Sequence, residues 1–422
     1  MKFKAIKGTK DILPDESYLW QWVEQSIRSV MHAFNYREIR TPVFEETTLF
    51  SRSIGELTDV VGKEMYSFPD RSGTSLTLKP EMTASVIRSF IQHNMGEQQP
   101  LVKLYYIAPM FRQERPQAGR LRQFHQFGAE AIGGDNAIMD AEVIALAVEI
   151  YKTLGLTNFT VRINSVGCEV CRPPYKQKLQ TFLEHVIDKL SDESKQRLKQ
   201  NPLRILDSKD EHDQTLTKDA PLMKDNLCKD CAEHFSNLQS FLKTLKIDFT
   251  IDGRIVRGLD YYTKTAFEIV SQDLGSQDAL TGGGRYDLLV KELGGKHTPA
   301  VGFAAGIERL LMVMEKQKLL LTDNLHPFVY IAYADKHGRS WTIEQAYILR
   351  HQAIRCEYDP LDRSLKSQMR EANRQQAEYV LIVGENELRA QSVSLKNMKT
   401  GNEQKVHMGE LTNKLLELQM KQ

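Results

Sequence analysis

Residues 101–130 read LVKLYYIAPMFRQERPQAGRLRQFHQFGAE. The apolar and aromatic run from Leu101 to Phe111 predicts a strand, Pro116 and Gly119 mark a polar loop, and Gln123 to Glu130 predicts the returning strand. Together they describe a long antiparallel hairpin. Side chains alternate along a strand, so Gln126, Gly128 and Glu130 share one face while Phe127 and Ala129 take the other. By the same alternation Arg112 and Glu114 point the same way. A solvated sheet face would explain the polar side of an isolated hairpin. The arginines weigh against it: Arg112, Arg115, Arg120 and Arg122 concentrate positive charge in a chain whose formal net charge is +1. Guanidinium forks suit phosphate or carboxylate oxygens, so the loop points to an anion.

Before the hairpin, Pro14-Asp15 predicts a helix start, and Leu19, Trp22, Val23, Ile27, Val30, Met31 and Phe34 recur at helical spacing, a core or subunit-contact stripe. Arg37 to Phe44 reads as a strand ending at Pro42, which cannot donate to a ladder. Leu76 to Leu78 is a short strand, and Pro80-Glu81 is expected to open a helix carrying Val86, Ile87, Phe90 and Ile91. A helix from about Asp140 to Leu154 follows the hairpin. Residues 168–235 are Lys- and Gln-rich without strand alternation and read as a helical insertion. Strand signals return at Tyr261 to Val270, at Thr281 to Gly284 and at Ala300 to Gly306, which runs into a helix from Ile307 to Met314. Past His326-Pro327, the runs Phe328 to Tyr333 and Tyr379 to Val383, separated by helical segments, suggest βαβ units.

A length of 422 residues favours two or three domains. Hydrophobic content of 41% and charged content of 26% are ordinary for a globular chain. The near-zero net charge argues against a broad nonspecific nucleic-acid surface, so any RNA contact is local. No apolar run reaches membrane-spanning length, and the N-terminus resembles no signal peptide. Five cysteines, an odd number in a long chain, fit a reducing compartment, and the expectation is cytoplasmic.

Further segments carry possible chemistry. In Gly302-Phe303-Ala304-Ala305-Gly306-Ile307-Glu308-Arg309, small residues at alternate positions leave room for a flat ligand, and Arg309 falls in a first helical turn that disfavours a cation. Close strand packing is the plainer reading of the glycines. Thr281-Gly282-Gly283-Gly284-Arg285 matches neither a P-loop nor a dinucleotide fingerprint. It reads either as room for a substrate at a strand end or as a flexible turn. Arg257-Gly258-Leu259-Asp260-Tyr261-Tyr262 gathers hydrogen-bonding groups or, alone, a core tyrosine cluster. Cys168/Cys171 and Cys228/Cys231 form two CxxC pairs, able to build a tetrahedral zinc site if they meet, or else ordinary buried thiols. No metal site is assigned from them.

Taken in order, these residues resemble the class II aminoacyl-tRNA synthetases, and most closely the histidyl-tRNA synthetase family. Pro42, Phe111-Arg112-Gln113-Glu114 and Gly306-Ile307-Glu308-Arg309 fit the three motifs shared across the class. The histidine-specific pair is Arg257-Gly258-Leu259-Asp260-Tyr261-Tyr262 and Gly282-Gly283-Gly284-Arg285-Tyr286-Asp287. Lys7 to Asp11 and Leu381 to Glu385 also match, so the likeness spans nearly the whole chain. It implies an α+β catalytic domain over 1–325 with a mostly antiparallel sheet and the 168–235 insertion within it. A C-terminal α/β anticodon-binding domain would follow over 327–422.

The resemblance also implies roles. Arg112 would hold the ATP α-phosphate, Glu114 the adenine amino group, and Arg309 the γ-phosphate and adenine face. Arg257 would contact the α-phosphate during adenylate formation and, with Arg112, carry catalysis. Glu81, Thr83 and Gln126 would bind the α-amino group of histidine, and Glu130, Tyr261 and Tyr262 would read its imidazole, with Arg112 and Arg257 lining the same pocket. Arg115, Gln117 and Arg120 would touch the acceptor end of the tRNA. ATP with Mg2+ is the implied co-substrate, with no prosthetic group, and the implied assembly is a homodimer. The family commonly places glycine where this chain has Met82, a departure that bears on Thr83. Two other readings stand beside this one: a non-catalytic regulatory subunit of ATP phosphoribosyltransferase, and a class II synthetase for another amino acid. The first would generally lack the C-terminal domain and lose the ATP-binding arginines; Tyr261-Tyr262 and the glycine run argue against the second.

Overall fold

The computed structural model describes residues 3–54, 60–117, 119–200, 202–208, 210–256, 261–275, 278–319 and 326–420. The chain divides into two compact units, Met1–Leu321 and Thr322–Gln422.

The first unit is built on an eight-stranded sheet. Its strands are β1 (Arg37–Glu38), β2 (Val102–Phe111), β3 (Gln123–Ile132), β4 (Thr160–Gly167), β5 (Phe249–Ile251), β6 (Thr263–Val270), β7 (Ala279–Arg285) and β8 (Ala300–Gly306). They lie in the order β1-β2-β3-β8-β7-β6-β4-β5. Only the marginal pairs β1/β2 and β4/β5 are parallel. The interior pairings are antiparallel, as the hairpin signature predicts.

The helices that position the site are α1 (Pro14–Ala33), α2 (Thr83–Gln92), α3 (Ala137–Thr153), α4 (Arg172–Glu184), α5 (Lys229–Thr244) and α6 (Ile307–Lys316). Strand alternation sorts the core into two layers. Tyr105, Phe127, Ala129, Phe267 and Phe303 meet Val23 and Ile27 of α1, Ile144 of α3 and Leu238 of α5. On the opposite face Leu104, Tyr106 and Ala266 join Val86, Ile87 and Phe90 of α2. Polar groups of that second layer form the site.

Three boundaries differ from the sequence reading. The Arg37–Phe44 strand is split: β1 is two residues long, and Phe44–Glu46 belongs to a separate three-stranded sheet with Tyr66–Pro69 and Ser75–Leu78. Pro42, with no amide hydrogen, separates the two pieces. The helix expected at Pro80-Glu81 begins at Thr83. Glu81 lies just ahead of it, and its carboxylate accepts from the Thr83 and Ala84 amides at 2.7 and 2.8 Å, satisfying donors of the first turn. Finally, the insertion is helical, but α5 runs past residue 235, and its Phe235, Leu238 and Leu242 pack in the main core. Tyr175, Leu179, Leu183 and Ile205 form a smaller core of their own.

Behind the sheet a buried ion pair ties β7 to α3. Arg285 is fully buried; its Nε lies 3.2 Å from both Asp140 oxygens, and its Nη1 reaches Asp287 at 3.0 Å and the Gly134 carbonyl at 2.8 Å. Burial alone would raise the Asp140 carboxyl, but the Arg285 charge and the hydrogen bonds from His234 and Arg285 together outweigh it and hold the group well below the usual carboxylate range. Asp140→Asn leaves a buried guanidinium undercompensated and should cost about 3–5 kcal/mol. Urea unfolding measures this, and a loss under about 1 kcal/mol, the scale of an exposed pair, would mean that the pair is effectively solvated.

The second unit carries a five-stranded sheet in the order Cys356–Tyr358, Val329–Tyr333, Tyr379–Val383, Ser392–Asn397, Glu403–His407. The first three strands are parallel, with helices Lys336–His351 and Leu365–Arg374 between them in sequence, giving the expected βαβ units; the last two are antiparallel additions. Among the described residues, no helix is long and apolar enough to cross a membrane.

Candidate functional site

On the α2 side of the sheet, Leu104, Glu130, Gly302, Gly284 and Ala266 form one lateral row across β2, β3, β8, β7 and β6. Glu130, next to Gly302 in that row, is buried. A Cβ at Gly302 would stand 2.7 Å from the Glu130 carboxyl carbon, so only glycine leaves the acid its place. The space beside Gly128 is filled by the neighbouring Tyr106 ring, whose Cζ lies 2.6 Å from where a Cβ would be. The glycine run of β7 is strand and not a flexible turn. It is paired on both sides, and the space at Gly283 and Gly284 is occupied by the Phe267 and Tyr262 rings.

Hydroxyls converge on Glu130. Thr83 Oγ1 donates to it at 2.7 Å, and the Tyr286 hydroxyl donates to its other oxygen. The Tyr261 ring lies tilted against Tyr262, centres 4.7 Å apart, and meets Tyr286 edge-on at 5.5 Å. Burial pushes Glu130 up to about 8 despite those donors, raises Glu81, and holds Tyr106, Tyr261 and Tyr286 neutral. Gln126 is half-buried on the same face, two rows away beyond Gly128, and its buried Oε1 has no hydrogen-bond partner among the described residues. An unpartnered buried acceptor costs about 1–3 kcal/mol and is relieved by an incoming donor.

The raised carboxyl has a stability consequence. Between about pH 4.5 and about 8 the unfolded chain has lost the Glu130 proton while the folded chain keeps it, so the folded state binds more protons. The stability that this group contributes is then fully present below about 4.5 and is lost as pH rises through that window. Glu130→Gln should flatten this part of the profile in denaturant melts, and an unchanged slope would mean that Glu130 ionises normally.

The second half of the site is cationic. β2 ends at Phe111, so Arg112 and Glu114 are brought together by an ion pair, Nη1 to Oε1 at 3.6 Å, rather than by strand alternation. Arg112 Nε donates to the Pro80 carbonyl at 2.9 Å, and its guanidinium lies 5.4 Å from the Phe124 ring centre. Arg120 turns inward to Glu114 at 3.2 Å. Arg309, in the first turn of α6, completes the group: burial first, then the Arg120 charge, lower its pKa, with Asp278 and Glu114 opposing. Three guanidinium groups around one glutamate leave net positive charge in a partly desolvated place. Pro80 joins the halves, since Arg112 holds its carbonyl and Glu81 follows it directly.

Arg115 and Gln117 are exposed on the hairpin loop. Arg257, with Gly258, Leu259 and Asp260, lies outside the described residues. Sequence reasoning missed Tyr106, Tyr286 and His125. His125 donates its backbone amide and brings its Nδ1 to Glu308, each at 2.9 Å, which fixes the start of α6 beside Arg309. Tyr286 stood inside a quoted motif, which was the available signal. Tyr106 sat in an apolar strand and gave none.

The family model described as histidyl-tRNA synthetase matches residues 8–310, and one described as anticodon binding domain matches residues 329–418. A histidine–tRNA ligase of Chloroherpeton thalassium is 51% identical over 418 residues, covering 98% of each chain. One from Caldanaerobacter subterraneus subsp. tengcongensis is 49% identical over 411 residues, covering 97% of this chain and 99% of its own. The crystal structure of apo S. aureus histidyl-tRNA synthetase superposes with a TM-score of 0.84 at 36% identity, covering 98% of this chain and 100% of that one. A Bacillus halodurans chain described as an ATP phosphoribosyltransferase regulatory subunit/histidyl-tRNA synthetase gives 0.64 at 22% identity, covering 90% and 98%, a likeness of fold alone.

Proposed function

The chain belongs to the histidyl-tRNA synthetase family, and we propose that the two-part site joined at Pro80 is where its reaction takes place. The activity is that of a histidine–tRNA ligase: histidine is activated with ATP and passed to tRNA. The observation that carries the site assignment is the direct linkage of a cationic group to a buried acid and phenol nest through Arg112, Pro80 and Glu81.

In the first step a histidine carboxylate oxygen attacks the α-phosphorus and pyrophosphate leaves. Charge builds on the equatorial oxygens, and cations already fixed in place stabilise it without reorganising. Arg112 takes that role with Arg257, while Arg309 holds the γ-phosphate and Glu114 the adenine amino group. ATP enters with Mg2+ as its counter-ion. Glu81, Thr83 and the unpartnered Gln126 Oε1 receive the α-ammonium. Glu130, Tyr261 and Tyr262 read the imidazole, which offers one donor and one acceptor when neutral. Met82 sits buried in the second core layer, its sulfur 3.5 Å from the Thr41 hydroxyl.

In the second step the terminal adenosine hydroxyl of the tRNA attacks the adenylate carbonyl and AMP leaves. Arg115 and Gln117 face outward for the acceptor end; Arg120, turned to Glu114, serves the ATP side as well. The 329–418 domain binds the anticodon, through bases splayed from a single-stranded loop. The working form is a cytoplasmic homodimer.

Pyrophosphate exchange with each of the twenty amino acids tests the reading. Stimulation by histidine alone supports it; no exchange with any would return the regulatory-subunit reading, and exchange with another amino acid the third. Arg257→Ala should slow adenylate formation by roughly 10²- to 10³-fold. A change below about tenfold would remove Arg257 from the α-phosphate.

A further inference from the structure

The insertion begins and ends on cysteines, and the fold brings them together. Cys168 follows β4, Cys171 immediately precedes α4, Cys228 immediately precedes α5, and Cys231 lies in the first turn of α5. Their sulfurs all lie within 4.8 Å of one another. Cys168 Sγ is 3.4 Å from Cys171 and 3.8 Å from Cys228, and Cys171 is 3.5 Å from Cys228. A tetrahedron with zinc–sulfur arms of about 2.3 Å has edges of about 3.8 Å, close to these separations. Disulfides need about 2.05 Å, and all four thiols are free.

We propose that Cys168, Cys171, Cys228 and Cys231 bind one structural zinc ion that fastens the entry of the insertion to its exit. Four sulfur ligands in a closed shell select zinc over hard cations and leave no open position for catalysis. Backbone amides already aim at the sulfurs: Cys168 N donates to Cys171 Sγ at 3.3 Å, and Val170 N to Cys168 Sγ at 3.4 Å. Such outer hydrogen bonds orient ligands before the metal arrives. The need is plain from the packing, because Tyr175, Leu179, Leu183 and Ile205 form a small core of their own. Small cores of this kind gain stability from a metal staple.

The ion also has a path to the site. Arg172 follows Cys171 directly; its Nε donates to the Val166 carbonyl at 3.0 Å, and its Nη2 to the carbonyl of Tyr262. The metal thus anchors the residue that fixes the backbone under the Tyr262 ring. This positioning role rests on the histidine-pocket reading; the metal site itself does not.

Metal analysis of the purified full-length protein, after dialysis against metal-free buffer, is expected to find about one zinc per chain. Cys356→Ser should retain it, and Cys228→Ser/Cys231→Ser should lose it. Should that double variant fail to fold, mercurial titration of the wild type still decides, because thiol modification must release zinc to a chromogenic chelator. Cobalt exchange into the wild type should give the visible bands of a tetrahedral thiolate site. Absence of metal, bound iron instead of zinc, or a disulfide-bonded chain by mass would overturn the site. Stripping zinc, or Arg172→Ala, should raise the KM for histidine by roughly tenfold and leave that for ATP nearly unchanged. Equal losses for both substrates would overturn the positioning role while leaving the metal in place.

Discussion

Arg112→Ala should lower kcat/KM for histidine-dependent pyrophosphate exchange by about 10³-fold, the scale of losing a fixed cation at a transferring phosphoryl group. The size follows from how firmly the guanidinium is held. Its Nε is spent on the Pro80 carbonyl, its plane lies near the Phe124 ring, and Glu114 restrains one terminal nitrogen. What remains is aimed, with little entropy left to lose. Arg112→Lys should recover no more than about a tenth of the lost activity, since an ammonium cannot hold Pro80 and reach a phosphate together. Single-turnover measurement of adenylate formation separates this from slow tRNA transfer. A loss below about tenfold in that step, far short of what one charge-stabilising donor supplies, would place the α-phosphate elsewhere.

Glu130→Leu should reduce kcat/KM for histidine by on the order of 10⁴-fold, while the KM for ATP moves by no more than about threefold. Glu130 is the shared acceptor for Thr83 and Tyr286, and its removal strands both hydroxyls in a buried place. A site built to hydrogen-bond its substrate loses far more than a hydrophobic pocket does when one group goes. Comparable losses for both substrates would mean that Glu130 supports the fold of the sheet instead of reading the imidazole. Thermal melts of the variant distinguish collapse of the site from collapse of the protein.

How far the sequence carried this picture depended on periodicity. The hairpin was legible because alternation held over two ten-residue strands, and β3 indeed sends Phe127 and Ala129 to one layer and Glu130 to the other. The βαβ pattern of the second unit was legible for another reason: Val329–Tyr333 is buried throughout and reads as an unbroken apolar run followed by a helical segment. The start of α2 was not: Pro80 and Glu81 suit a first helical turn and equally suit the stretch before it, and only the carboxylate's hold on the Thr83 and Ala84 amides decides. Tyr106 escaped because a tyrosine among apolar strand residues reads as core until its neighbour proves to be glycine. Arg285 illustrates a different limit. A motif arginine invites a phosphate, yet Asp140, 145 positions away in sequence, claims it for the interior. The four cysteines needed the fold itself, since nothing local says that residues 60 apart will meet.

The pocket formed by Glu81 and Glu130 rests with both acids biased toward their uncharged forms. A positive charge entering this pocket favours the ionised acids, and Glu130, at about 8, still carries its proton at neutrality. Loading the amino acid therefore expels hydrogen ions near neutrality, and the heat of loading scales with the ionisation enthalpy of whichever buffer catches them. Calorimetry in two buffers can count that release directly, before any ATP is added.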